Sequence, residues 1–163
     1  MPEKVRTWGG LDTMQVAGLL KAEYDRMLPQ EKPEAICIDV IGLGAGVVDR
    51  CRELKLPVVA VNVAESPAIE AQYARLRDEL WFRARDWFHG RDVKIVDDPD
   101  LIGELTLPTF KVLSTGKKQV ESKDDIKKRA ASPDRADAFC LTFATGGAAR
   151  NSGPLKYDDS GIR

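Results

Sequence analysis

The stretch Ala35-Ile36-Cys37-Ile38-Asp39-Val40-Ile41-Gly42-Leu43-Gly44-Ala45-Gly46-Val47-Val48-Asp49 decides how this chain is read. Its first seven residues form a near-continuous apolar run interrupted by one acid. Such a run predicts a strand buried on both faces. Gly42 to Gly46 predicts a tight turn, and Val47 to Leu54 a short helix. A second apolar run, Pro57 to Val63, predicts another buried strand. The order strand, glycine turn, helix, strand argues for parallel pairing in an α/β sheet. Asp39 is the anomaly, because a carboxylate in a buried strand is costly unless a partner offsets its charge.

Working outward, Lys4 to Trp8 is expected to be a short strand. Asp12 is expected to cap a helix running to Leu28, with Met14, Ala17, Leu20, Tyr24 and Leu28 near helical spacing. Pro29 and Pro33 interrupt it. Downstream, Ser66-Pro67 is expected to open the longest helix and Gly90 to close it, with Ile69, Tyr73, Leu76, Leu80, Ala84 and Trp87 as its apolar stripe. Asp98-Pro99 predicts a helix ending near Pro108. Phe110 to Ser114 and Lys117 to Glu121 flank Thr115-Gly116 as a β-hairpin. Ser122-x-x-Asp125 predicts a short capped helix, and Ser132-Pro133 a last one reaching Ala144. Residues 1–145 are expected to form one domain and 146–163 a flexible tail.

The 163 residues suffice for one domain with a core, and a net charge of −1 gives no global basic signature. Charge is local instead. Arg75, Arg77, Arg83, Arg85 and Arg91 fall in one segment, and Lys117, Lys118, Lys123, Lys127, Lys128 and Arg129 in another. Either run reads as a basic patch or as a solvated helix face. Cys37, Cys51 and Cys140 are widely spaced in apolar surroundings and read as reduced core thiols. With His89 the only histidine and no Cys-x-x-Cys, a structural zinc site is not expected. No apolar run approaches ~18 residues, so no membrane span is expected and the cytoplasm is the expected location.

Asp137, in Ser132-Pro133-Asp134-Arg135-Ala136-Asp137, is the second candidate acid. A divalent cation shared with Asp39 would offset both charges, and such ions drive phosphodiester cleavage. Asp134 and Asp137 share the first turn of a predicted helix, where acids also serve stability alone. The glycines are spaced Gly-x-Gly-x-Gly, with Asp39 before them and no acid in Val58 to Val63, which disfavours a dinucleotide fingerprint. No phosphate-binding loop of the Walker type exists. Trp81, Trp87 and Phe88 lie beside arginines; core packing is preferred over base stacking at this spacing.

These pieces together resemble the C-terminal nuclease domain of the phage terminase large subunit. The resemblance rests on Trp8-Gly-Gly-Leu-Asp-Thr-Met14, Ile38 to Asp49, Val61-Asn-Val63, Arg77-Asp-Glu-Leu-Trp81, Glu121 to Asp125, Lys127-Lys-Arg129, Ser132 to Ala138 and Leu141 to Ala144, in that order. It implies a ribonuclease-H-like mixed sheet with flanking helices. It also implies an endonuclease that uses Mg2+ or Mn2+ to cut concatemeric double-stranded DNA during genome packaging. Portal and small terminase subunit would be partners in the intact system. Asp39 and Asp137 match two of the family's three metal-binding acids, with Asp134 an accessory and Lys123 a cation near the scissile phosphate. Arg77, Lys127, Lys128 and Arg129 would contact DNA. The family's first strand, with its own aspartate, belongs upstream of Trp8, where Glu3 is the only acid. An N-terminally truncated sheet is therefore expected, with weak metal binding, impaired or absent cleavage, and homo-oligomers formed through an exposed sheet edge. Two other readings stay open: a non-catalytic prophage remnant or DNA- and partner-binding module, and a Rossmann-like nucleotide binder.

Overall fold

The computed structural model describes residues 4–90 and 93–145. The parallel unit leads the fold. Strand β1 (Ile36–Asp39) runs beside β2 (Val58–Val61), with Ile36 opposite Val58 and Asp39 opposite Val61. Helix α2 (Gly44–Glu53) is the crossover, and α1 (Thr13–Arg26) packs on it. Strand periodicity sorts the side chains to two faces. Ile36, Ile38 and Val58 join Ala17, Val47, Cys51 and Leu56 on the α1–α2 side. Cys37, Val59 and Val61 join the larger core made with α3 (Leu76–His89) and α6 (Asp134–Leu141). Asp39 shares the parity of Cys37, so it belongs to the α3–α6 face, at the carboxyl end of the strand.

The rest of the chain is α4 (Pro99–Thr106), the hairpin β3 (Phe110–Val112) and β4 (Lys118–Val120), α5 (Lys123–Lys127), and short 3-10 turns at Pro29–Glu31 and Thr142–Ala144. The α/β architecture is present, with its strands divided between a parallel and an antiparallel pair. Asp12 caps α1 through a reciprocal box with Gln15, as its sequence predicts, and Ser122 caps α5. The three cysteines are free thiols, Cys51 and Cys140 buried and Cys37 half-buried.

Four expectations are corrected. Residues 4–8 form no strand; the Val5 N–H donates to Asp98 Oδ2 at 2.9 Å instead of to a neighbouring strand. The stretch opened by Ser66-Pro67 is not helical, and α3 starts only at Leu76. The cause is competition for backbone groups. The Glu79 carboxylate takes the Ala68 and Ile69 N–H groups at 2.5 and 3.2 Å, and residues 72–74 hydrogen-bond to Lys118 of β4. The strand β1 is half-buried rather than buried on both faces, since β2 is its only partner among the described residues. Helix α2 begins at Gly44, inside the expected turn, whereas α1 ends at Arg26, near its expected bound. The expected tail, 146–163, lies outside the described residues.

Gly42 has a φ of +70°, which suits glycine at the turn after β1. Gly44 is constrained by space: a Cβ there would lie 1.7 Å from the Asp39 carbonyl oxygen. Helix α2 thus starts directly against the end of β1. Gly44→Ala is expected to destabilise the fold by about 3 kcal/mol or more, whereas Gly103→Ala, which meets no atom within 4 Å in α4, should gain about 0.5–1 kcal/mol. Urea denaturation of the two variants checks both.

Hydrogen bonds from Val5 and then Leu101, opposed by burial, hold the Asp98 carboxyl below its ordinary range. A depressed carboxyl stabilises the fold above its unfolded pKa of about 3.9, and that stability is lost as pH falls through the lower folded value. Asp98→Asn should therefore be less stable than the parent at neutral pH, with the gap closing below about pH 4, as read from thermal melts across pH.

Candidate active site

Residues 39, 77, 123 and 137 are far apart in the chain and meet in one cleft of about 40 Å³. Asp39 stands at the end of β1, where its Oδ1 accepts from the Ile41 N–H at 3.1 Å. Asp137 projects from the first turn of α6. That turn is held by Glu104 of α4, whose carboxylate accepts from the Arg135 and Ala136 N–H groups at 2.7 and 3.1 Å. Arg77 and Trp81, four residues apart on α3, face the same point. Val63, Leu80, Cys140 and Leu141 form the apolar walls. Burial, the neighbouring Asp137 charge and, in the opposite sense, Arg77 leave the Cys140 thiol raised well above its ordinary range, so it is an inert wall.

Asp137 is the centre of the polar contacts. Its Oδ1 accepts from Arg77 Nε at 3.1 Å and from Trp81 Nε1 at 2.7 Å. Lys123 Nζ forms an ion pair with its Oδ2 at 3.0 Å, and Oδ2 is otherwise buried without a polar partner. Arg77 also donates from Nη1 to the Glu121 carbonyl at 2.9 Å, which ties the end of the hairpin to α6. Its Nη2 is buried and unsatisfied. Burial lowers the Lys123 pKa, but hydrogen bonding to Asp134 and the charge of Asp137 outweigh it, and the net shift is upward. Lys123 is therefore a cation at neutral pH.

The other residues singled out from the sequence lie further out. Asp134 is exposed and pairs with Lys123 at 3.0 Å and with Ser132 at 2.8 Å. Lys128 pairs with Asp125 at 2.6 Å. Arg129 joins Glu121 at 2.6 Å and the Leu107 carbonyl at 2.9 Å. Lys127 closes the exposed α5. The spacing of Trp81 predicts a core residue; it is buried, and its indole N–H also reaches the cleft. The available signal was the pair Arg77 and Trp81 at i and i+4, because a buried indole N–H needs an acceptor.

The cleft is far below the roughly 300–1,000 Å³ of a small-molecule pocket, so it does not engulf a nucleotide. It has room for an ion, waters at ~10–15 Å³ each, or the edge of one phosphate. The second glycine of the turn packs on the Asp39 carbonyl and leaves no room for a side chain there. Two carboxylates line the cleft, and Asp137 Oδ2 already has the Lys123 ammonium at 3.0 Å, so a divalent cation held by both acids would have to displace that contact. Among the described residues no group of three or more His, Cys, Asp or Glu side chains converges to hold an ion.

Eighty-five per cent of the chain superposes on 76% of the nuclease domain of the large terminase subunit gp2 of bacterial virus Sf6, at a TM-score of 0.65 and 17% identity. The fold is that of a phage terminase nuclease. A mutant of that domain with manganese and beta-thujaplicinol gives a TM-score of 0.66, and one with calcium 0.67, over the same 85% of this chain and at the same 17% identity. No protein-family model matches the sequence, and no curated protein is similar to it. At this identity the likeness establishes a shared ribonuclease-H-like architecture. No described helix is long and apolar enough to cross a membrane.

Arg77 and Asp137 are only 11% and 15% exposed, so removing one partner strands the other. Arg77→Met should cost about 3 kcal/mol or more in urea denaturation. Arg77→Lys should not restore the loss, because a single ammonium cannot reach both Asp137 and the Glu121 carbonyl in the fork geometry.

Proposed function

We propose that this chain is a divalent-metal-dependent endonuclease domain acting on double-stranded DNA, of the kind that cuts concatemers during phage genome packaging. The observation that carries the proposal is the meeting of Asp39 and Asp137 in one cleft at the carboxyl end of β1. That end of a strand is where α/β sheets place ligands. Two of the neighbours that share the fold, both mutants, were solved with manganese and with calcium. Portal and small terminase subunit are the partners this reading assigns.

The residues divide the work. Asp39 and Asp137 Oδ2 would hold a Mg2+ or Mn2+ ion, with Asp134, which pairs with Lys123 outside the cleft lining, as an accessory. Bound there, a divalent ion polarises the phosphoryl oxygen and acidifies a bound water. Lys123 brings a positive charge to the mouth of the cleft, where a phosphodiester gathers negative charge as it is attacked. The buried Nη2 of Arg77 supplies one further unpaired donor. Lys127, Lys128 and Arg129 lie on and after α5, where they extend the positive surface for a DNA backbone. The apolar walls cover Asp137, which is 15% exposed, while Asp39 is half-buried.

One observation favours a second reading, a DNA- or partner-binding module without cleavage. Asp137 is already compensated by Arg77 and Lys123, and only two carboxylates line the cleft. A supercoiled-plasmid assay with Mn2+ separates the two. The expected outcome is nicking that is lost in Asp39→Asn and in Asp137→Asn. Equal nicking by parent and both variants overturns the catalytic assignment. Salt-sensitive DNA retention by the parent without any nicking favours the binding module.

A further inference from the structure

We infer that Trp81 is a positioning residue of this site: its indole N–H, together with Arg77 Nε, holds Asp137 by Oδ1 so that Oδ2 is the oxygen presented to a cation. The inference rests on the metal-dependent reading proposed above and deepens it.

Both donors come from α3, while Asp137 belongs to α6, so the carboxylate is oriented from outside its own helix. They converge on one oxygen, at 2.7 Å from Trp81 and 3.1 Å from Arg77. The other oxygen is buried in the same cleft as Asp39, and its one polar neighbour is the Lys123 ammonium at 3.0 Å, the position an entering metal ion would have to take over. A carboxylate free to rotate about its side-chain torsions would exchange the two oxygens. With Oδ1 committed twice, the exchange breaks two hydrogen bonds at once. Trp81 is itself immobilised: it is 9% exposed, and the guanidinium of Arg77 lies 5.8 Å from its ring centroid. A buried indole N–H needs an acceptor, and the one found here is a carboxylate that lines the cleft. Partners that orient a metal-binding side chain commonly change metal affinity by about 10–100-fold when lost.

The test uses the whole chain and Mn2+ as the probe. Trp81→Phe keeps an aromatic ring and removes the N–H. Phe82→Leu, a buried neighbour on α3 that does not line the cleft, controls for general loosening. Free Mn2+ is followed by electron paramagnetic resonance, and folding by thermal melts. The expected result is Mn2+ affinity weakened about tenfold or more in Trp81→Phe and unchanged in Phe82→Leu. Unchanged affinity in Trp81→Phe, or an equal loss in Phe82→Leu, overturns the inference.

A metal-free measurement decides it independently. In 15N spectra of the apo protein, Asp137→Asn should displace the indole resonance of Trp81 and leave that of Trp8 in place. A Trp81 resonance that does not move overturns the inference, even if Trp81→Phe fails to fold. Should the parent take up no Mn2+, the metal reading fails on its own, and the resonance of Trp81 still decides whether the indole holds Asp137.

Discussion

Asp137 can sit in this core only because three side chains compensate it. An ionised carboxylate removed from water costs several kcal/mol unless donors replace the lost hydration. Arg77 and Trp81 of α3 satisfy Oδ1, and Lys123 of α5 faces Oδ2. Through the same guanidinium the Glu121 carbonyl at the end of the hairpin is fixed to α3. One charged group therefore joins α3, α5, α6 and the hairpin. The cleft with Asp39 is the gap these elements leave above the end of β1.

The same physics recurs along α3. Asp78 and Glu79 are fully buried. Asp78 accepts from the Val120 N–H at 2.9 Å and the Arg75 N–H at 3.0 Å, which locks β4 and the start of the helix. Glu79 accepts from Ala68 and Ile69 and pairs with Arg83 at 2.7 Å. Buried acids here act as brackets for backbone that would otherwise lack partners. Three consecutive polar residues, Arg77, Asp78 and Glu79, thus organise three different pieces of chain. This rigidity suits a site whose chemistry depends on where one carboxylate oxygen points.

The site's charge balance has a chemical consequence. Two acids and two cations share a small space, so the cleft is close to neutral before anything binds. A divalent ion entering it must compete with Lys123 for Asp137 and lose part of its hydration. Under the metal-dependent reading proposed above, that competition would weaken the binding, separately from any shortage of carboxylates. The exposed rim formed by Lys127, Lys128 and Arg129 is partly self-neutralised by Asp125 and Glu121.

The local sequence determined much of this protein. The βαβ order, the Asp12 and Ser122 caps, the hairpin at Thr115-Gly116 and the start of the last helix near Asp134 follow from short-range periodicity and capping chemistry. Asp39 and Asp137 stood out because acids in those settings need partners. Tertiary structure decided the rest. Residues 66–75 carry helix-start signals and an apolar stripe, yet a carboxylate from Glu79 and the edge of β4 claim their backbone groups. Lys4 to Trp8 looks like a strand, but its amide at Val5 goes to Asp98. That Arg77, Trp81 and Lys123 all converge on Asp137 was not legible, because sequence shows which groups need a partner and only the folded chain determines which partner lies within 3 Å.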